Sequence, residues 1–211
     1  MSNVILDQIS EAVQKGKARD TKELVQKAIA EKIGAKDILD KGLLAAMAIV
    51  GKKFKNNEVF VPEVLISARA LNMGTAELKP YLAAQGVKPL GKAIICTVKG
   101  DLHDIGKNLV RMMLEGVGLE VQDLGVDVAP EKIVEAVKTS DAKVLCLSAL
   151  LTTTMGAQKD TIDALAAAGV RDKIKIMVGG APVTEEYAKQ IGADAYTSDA
   201  ASAATAAKLF F

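Results

Sequence analysis

The residues with the most chemistry in them lie in one short loop, Lys99-Gly100-Asp101-Leu102-His103-Asp104-Ile105-Gly106. The loop holds the single histidine of 211 residues, and a carboxylate, Asp101, stands two positions before it. That spacing lets a carboxylate hold one ring nitrogen, fix the imidazole tautomer and raise the basicity of the other nitrogen, as the partner of a metal-bound histidine does. A loop histidine near an aspartate is also what a solvated or structural residue looks like, and these residues alone leave both readings open. A conventional zinc centre is set aside on the donor count, because it needs three or four protein ligands and the chain has no second histidine and no paired cysteines. If His103 binds a metal, the remaining ligands come from outside the polypeptide, and a tetrapyrrole-type macrocycle meets that requirement.

The elements around this loop must place it. An apolar run, Ala93-Ile94-Ile95-Cys96-Thr97-Val98, precedes it and a helix-like segment follows, the pattern of a buried parallel strand and its active loop. Further strand-like runs lie at 120–124, 143–148, 174–178 and, weakly, 193–196, with helical patterns near 105–115, 130–138, 155–168, 184–190 and 199–209. This alternation predicts an α/β doubly wound domain, flavodoxin-like or Rossmann-like, with a five-stranded parallel sheet covered on both faces. The common order for such a sheet is 2-1-3-4-5, and ligands sit where it reverses, outside the carboxyl ends of strands 1 and 3. The loop at 100–106 and the segment Ser148-Ala149-Leu150-Leu151-Thr152-Thr153-Thr154 then share one crevice.

Upstream the hydrophobic period is helical. Ile5, Ile9, Ala12 and Val13 mark a first helix that Gly16 stops; Asp20 or Thr21 caps a second that ends at Gly34; a third runs from near Asp37 through Leu43 and Met47 to Phe54. Pro62 opens a fourth, with Val64, Leu65, Ala68 and Leu71 on one face, which continues or restarts after Gly74 to about Ala84. Four amphipathic helices with short connections predict an N-terminal four-helix bundle. Gln85-Gly86-Val87-Lys88-Pro89-Leu90-Gly91 reads as a linker, which divides the chain into a helical domain at 1–88 and an α/β domain at 89–211.

Composition narrows the partners. With 27 Lys and Arg against 26 Asp and Glu the net charge is +1, and no basic run appears, so neither nucleic acid nor an anionic membrane is an expected partner. Trp is absent, with 3 Tyr and 4 Phe, which argues against a carbohydrate or base-stacking surface. Cys96 and Cys146 sit inside apolar runs, as reduced core residues of a cytoplasmic protein do. No signal peptide or membrane span is expected.

Three separated segments carry a family resemblance. Asp101-x-His103-x-x-Gly106, then Ser148-x-Leu150, then Gly179-Gly180 resemble the cobalamin-binding signature of corrinoid proteins and of the cobalamin module of methionine synthase. Gly51-x-x-Phe54, Phe60-Val61-Pro62-Glu63-Val64 and Ser67-Ala68-Arg69-Ala70 resemble the helical cap attached to that module, so the likeness covers nearly the whole chain. The resemblance implies a cobalamin or related corrinoid cofactor bound with its own lower base displaced and replaced on cobalt by His103. Asp101 would hydrogen-bond that imidazole, and Thr154, where methionine synthase has serine, would complete the relay. The loop residues Gly100, Leu102, Asp104, Ile105 and Gly106 belong to the implied site. The displaced nucleotide tail would thread beside Gly100, Ser148, Leu150 and Thr152, with Gly179 and Gly180 leaving it room. Phe54 and Val61, the latter replacing a leucine of methionine synthase, would shield the upper face, with Val64 assisting.

The activity implied is that of a corrinoid methyl carrier, cycling between cob(I)alamin and methylcob(III)alamin in one-carbon metabolism. It would take a methyl group from a substrate-specific methyltransferase and pass it to a second methyltransferase, with tetrahydrofolate or coenzyme M as acceptor and a reductive activase in support. It would be one component of a methyltransferase system rather than a complete enzyme. A cobalamin-dependent regulator or light sensor shares the same core, but usually adds a DNA-binding domain and often a cap tryptophan, and this chain has no tryptophan and no basic N-terminal segment.

Overall fold

The computed structural model describes residues 2–211. The chain forms two compact units, the first running to Pro89 and including Gly116–Gly118, and the second built from Leu90–Glu115 and Leu119–Phe211.

The first unit is helical. Helix α1 (Ser2–Gln14) buries Ile5, Leu6, Ile9, Ala12 and Val13, and the chain turns at Gly16, whose φ is +67°. A β-carbon at Gly16 would lie 2.4 Å from Ile66, so this turn admits no side chain. Helix α2 (Ala18–Ala30) begins earlier than the caps expected at Asp20 and Thr21: Asp20 lies in its first turn, and the Thr21 hydroxyl donates back to the Lys17 carbonyl at 2.9 Å. Helix α3 (Ala35–Asp37) passes through a π-type stretch, Ile38–Leu44, into α4 (Ala45–Lys55) without a break, giving the single third helix the sequence predicts. Helix α5 (Val61–Ala84) starts with Pro62 in its first turn, and the Phe60 N–H donates to the Glu63 carboxylate at 3.0 Å. It runs on through Gly74 rather than restarting there. A β-carbon at Gly74 would stand 2.8 Å from Leu43 and 3.1 Å from Thr21, so this glycine lets neighbouring helices approach closely.

The second unit contains the sheet. Strands β1 (Gly91–Thr97), β2 (Leu119–Asp123), β3 (Val144–Ser148), β4 (Lys175–Gly179) and β5 (Ala195–Tyr196) are ordered β2-β1-β3-β4-β5, and every pairing is parallel. The order reverses between β1 and β3, as expected. Helices α6 (Ile105–Gly116), α7 (Pro130–Thr139), α8 (Gly156–Ala167), α9 (Glu185–Gln190) and α10 (Ala200–Lys208) supply the crossovers and the C-terminal cover. Thr184 and Asp199 cap α9 and α10 by accepting from the N–H groups of Tyr187 and Ser202.

The central strands read as continuous apolar runs because helices cover both faces. Ile94, Cys96, Leu145, Leu147, Ile176 and Val178 pack with Ile133, Val137 and Leu165 in one core, where each buried Leu or Ile contributes about 2 kcal/mol. Register then does the positioning: Thr97 pairs with Ser148, and Ser148 with Gly179. The carboxyl ends of β1, β3 and β4 are therefore level, and the three motif segments leave the sheet side by side. No helix of the described residues is long and apolar enough to cross a membrane.

Candidate functional site

The loop after β1 is held by its neighbours on both sides. Val98 bridges to Val128 and donates its N–H to the Ser148 carbonyl at 3.0 Å. Gly100 turns with φ +83° and donates its N–H to the Asp127 carboxylate at 2.7 Å, while the Asp127 N–H donates to the Asp101 carbonyl at 2.9 Å. Beneath the loop, the buried Thr97 hydroxyl donates to the His103 carbonyl at 2.7 Å.

The Asp101 carboxylate is the centre of this arrangement. It is fully buried. Its Oδ1 accepts from the His103 N–H at 3.0 Å and faces His103 Nδ1 at 2.7 Å; its Oδ2 accepts from the Leu150 N–H and the Thr154 hydroxyl, both at 2.7 Å. Burial pushes the carboxyl pKa up, but the bonds from the His103 and Leu150 N–H groups, Thr154 and the His103 ring outweigh it, and Asp101 is held well below the usual carboxylate range. An ionised carboxylate is only an acceptor, so Nδ1 carries a ring proton, and in the neutral imidazole Nε2 is the lone-pair nitrogen. The His103 side chain is 50% exposed, so that nitrogen belongs to a ring that reaches the surface.

Exposed apolar side chains accompany it. Leu102 and Ile105 are 72% and 71% exposed, and Leu150 and Leu151, in the loop that Asp101 binds, are 41% and 43% exposed. Asp104 stays with the start of α6, where its carbonyl and carboxylate accept from Asn108. Gly106, in the first turn of α6, would have no atom within 4 Å of an added β-carbon, and at Gly100 the nearest would be Thr154 Cγ2 at 3.7 Å. Ser148, Gly179 and Gly180 are half-buried and Thr152 is exposed. The two glycines differ. An added β-carbon at Gly179 would meet only the Thr197 carbonyl at 3.7 Å, whereas at Gly180, with φ +131°, it would fall 1.8 Å from the Ala149 carbonyl oxygen. Gly180 is therefore required by the close approach of two strand-end loops, a reason separate from the room for a tail that the resemblance implies. In the helical unit, Phe54 and Val61 keep part of their surface and Val64 keeps none.

Sequence reasoning passed over Thr97, Asp127, Leu151 and Gln158. Thr97 reads as a strand residue and Gln158 as an ordinary helix residue, while Leu150-Leu151 did carry a signal, an apolar pair in a loop. Among the described residues no three His, Cys, Asp or Glu side chains gather to hold a metal ion. Both thiols are buried and burial pushes them up to about 12, so they are not nucleophiles at neutral pH. A metal carried in its own macrocycle asks for one axial ligand and an apolar floor, and His103 with Leu102, Ile105, Leu150 and Leu151 fits that demand.

Residues 91–207 match a family model described as B12 binding domain, and residues 5–79 match a second model with the same description. The chain belongs to the corrinoid proteins. This corrinoid protein is 41% identical over 204 residues to dimethylamine corrinoid protein 3 of Methanosarcina acetivorans, covering 97% of this chain and 95% of the relative. It is 42% identical over 207 residues to monomethylamine corrinoid protein 1 of Methanosarcina barkeri, covering 96% and 95%. Among solved structures, the methanol:cobalamin methyltransferase complex MtaBC from M. barkeri matches with TM-score 0.88 and 33% identity, over 97% of this chain and 78% of that one. The cofactor of this corrinoid protein is cobalamin or a related corrinoid.

Proposed function

We propose that this corrinoid protein is the methyl carrier of a methyltransferase system. It exchanges a methyl group with a substrate-specific methyltransferase and with a second methyltransferase that uses tetrahydrofolate or coenzyme M, and a reductive activase restores it. The bound corrinoid supplies the cobalt on which the methyl group travels. His103 Nε2 would hold the cobalt, with Asp101 holding Nδ1 and Thr154 holding Asp101. In that arrangement the hydrogen bond from Nδ1 to Asp101 would orient the ring and strengthen Nε2 as a donor. Gly100, Leu102, Asp104, Ile105, Gly106, Ser148, Leu150, Thr152, Gly179 and Gly180 complete the cofactor site. Residues 1–88 serve as the cap and 89–211 as the binding domain. Phe54 and Val61 have surface to offer the methyl face, whereas Val64 is core.

The observation that carries this reading is the fully buried Asp101 carboxylate bonded to a half-exposed imidazole at 2.7 Å. Relatives named for two different amines match the chain to the same degree, 41% and 42%, as expected if the methyl donor is read by the partner enzyme and not by its carrier. Two buried free thiols suit a reducing, cytoplasmic setting.

Because the chain has one histidine, the test is clean. The protein is reconstituted with hydroxocobalamin and reduced to the cobalt(II) form, and its electron-spin spectrum is recorded with natural and 15N-labelled histidine. Nitrogen coupling that changes with the label and vanishes in His103→Ala is expected. Coupling that ignores the label, from benzimidazole still on cobalt, would falsify the proposal.

A further inference from the structure

Gln158, near the start of α8, is fully buried, and its Nε2 donates to the carbonyls of Leu147 at 2.9 Å and Gly179 at 3.2 Å. Both partners are carbonyl oxygens, so turning the amide over would set oxygen against oxygen; its orientation is fixed by its neighbours. The side-chain oxygen therefore faces elsewhere. It is buried and accepts no hydrogen bond from the protein. A buried amide oxygen without a donor is costly, and native structures supply one from protein, water or ligand.

The place of the side chain in the fold narrows the donor. Leu147 precedes Ser148, and Ser148 lies opposite Gly179 in register. Gln158 thus ties the carboxyl ends of β3 and β4 together at the place where the carrier reading puts the displaced nucleotide tail. The phosphate of that tail has no proton to give at neutral pH, whereas its ribose is a hydroxyl donor.

We infer that Gln158 Oε1 accepts a hydrogen bond from a ribose hydroxyl of the corrinoid's nucleotide tail, and that Gln158 selects corrinoids carrying that tail. This rests on the carrier reading. Gln158 is a cofactor-binding residue here and takes no part in the methyl chemistry.

Cobinamide, which keeps the corrin ring and its amides but lacks the nucleotide, separates the tail from the ring. Absorbance titration of the parent and of Gln158→Met with hydroxocobalamin and with diaquocobinamide gives the ratio of the two affinities. That ratio is expected to fall about tenfold in the variant, the effect of leaving one ligand hydroxyl unpaired. An unchanged ratio, with both affinities intact or both lowered together, overturns the inference and assigns the oxygen to water or to a ring amide. A second measurement uses the unaltered protein: the 13Cδ resonance of Gln158 should shift on adding cobalamin and stay in place with cobinamide, and equal behaviour with both overturns the inference. Uptake of neither corrinoid by the parent overturns the carrier reading itself.

Discussion

Asp101 has no spare acceptor capacity, and this makes its replacement by asparagine informative. An amide offers one oxygen where four donors converge on two. If its nitrogen faces His103, the His103 N–H loses its acceptor, Nδ1 must become an acceptor and the ring proton moves to Nε2, which takes away the lone pair proposed to hold the metal. If its nitrogen faces the other way, the Leu150 N–H loses its acceptor. Asp101→Asn should therefore lower the stability of the cofactor-free protein by about 2–3 kcal/mol at neutral pH and weaken histidine ligation in the reconstituted protein. The pH dependence has a definite sign. The folded-state pKa lies below the ordinary value, which in the unfolded chain is about 3.9, so the contribution of Asp101 is complete above that value. It is lost as pH falls toward the folded one. Urea unfolding of parent and variant from pH 7 down to pH 3 checks this: the parent should lose more stability on acidification, and parallel curves would show that Asp101 contributes little. Thr154→Ala removes one of the four bonds and should cost about 1 kcal/mol in the same assay, with Thr154→Ser close to the parent.

The glycines that follow β1 and β4 make different demands, and an added methyl has opposite expected outcomes at two of them. Gly180→Ala drives a β-carbon into the Ala149 carbonyl and asks alanine to hold φ +131°, so the cofactor-free protein should lose roughly 2–4 kcal/mol. Gly106→Ala meets open space in the first turn of α6 and should leave that stability unchanged or raise it by about 0.5 kcal/mol. A drop in hydroxocobalamin affinity in Gly106→Ala at unchanged stability would locate the corrin ring over this turn, and unchanged affinity would locate it elsewhere. Why the sequence revealed some of this and not the rest is also a matter of elements. The strands and helices of the α/β unit lie within about two residues of their expected places because apolar runs bounded by glycine and polar residues report burial directly. Asp101, His103 and Thr154 were legible because their chemistry is local or carried by a motif. Three features depend on tertiary approach and left no local trace: the clash that requires Gly180, the orphan oxygen of Gln158, and Asp127, which reaches Gly100 from 27 positions away. The π-type stretch Ile38–Leu44 was equally hidden, since its residues are those of an ordinary amphipathic helix.

At the scale of the whole molecule, the polypeptide passes from the helical unit to the α/β unit through residues 85–90. Half of that passage is already spoken for: the Gly86 N–H donates to the Ala83 carbonyl, and the Val87 N–H to the Leu82 carbonyl, closing the end of α5 with Gly86 at φ +66°. Lys88, Pro89 and Leu90 remain as the irregular stretch between this closure and β1. If residues 1–88 cap the methyl face, as proposed above, that face must be uncovered for each partner, and movement about this linker is then expected to set the rate at which methyl groups pass. The residues bonded to Asp101 and His103 all belong to the α/β unit. Deleting Lys88, or replacing residues 88–90 with a run of prolines, should therefore leave the corrinoid bound, with the same histidine-dependent spectrum, while slowing methyl transfer to and from the partner methyltransferases. Gel filtration with detection of the corrinoid chromophore reads the first quantity, and turnover with a partner enzyme reads the second. Loss of chromophore together with turnover would place the linker in cofactor retention, and unchanged turnover would show that this segment does not govern access.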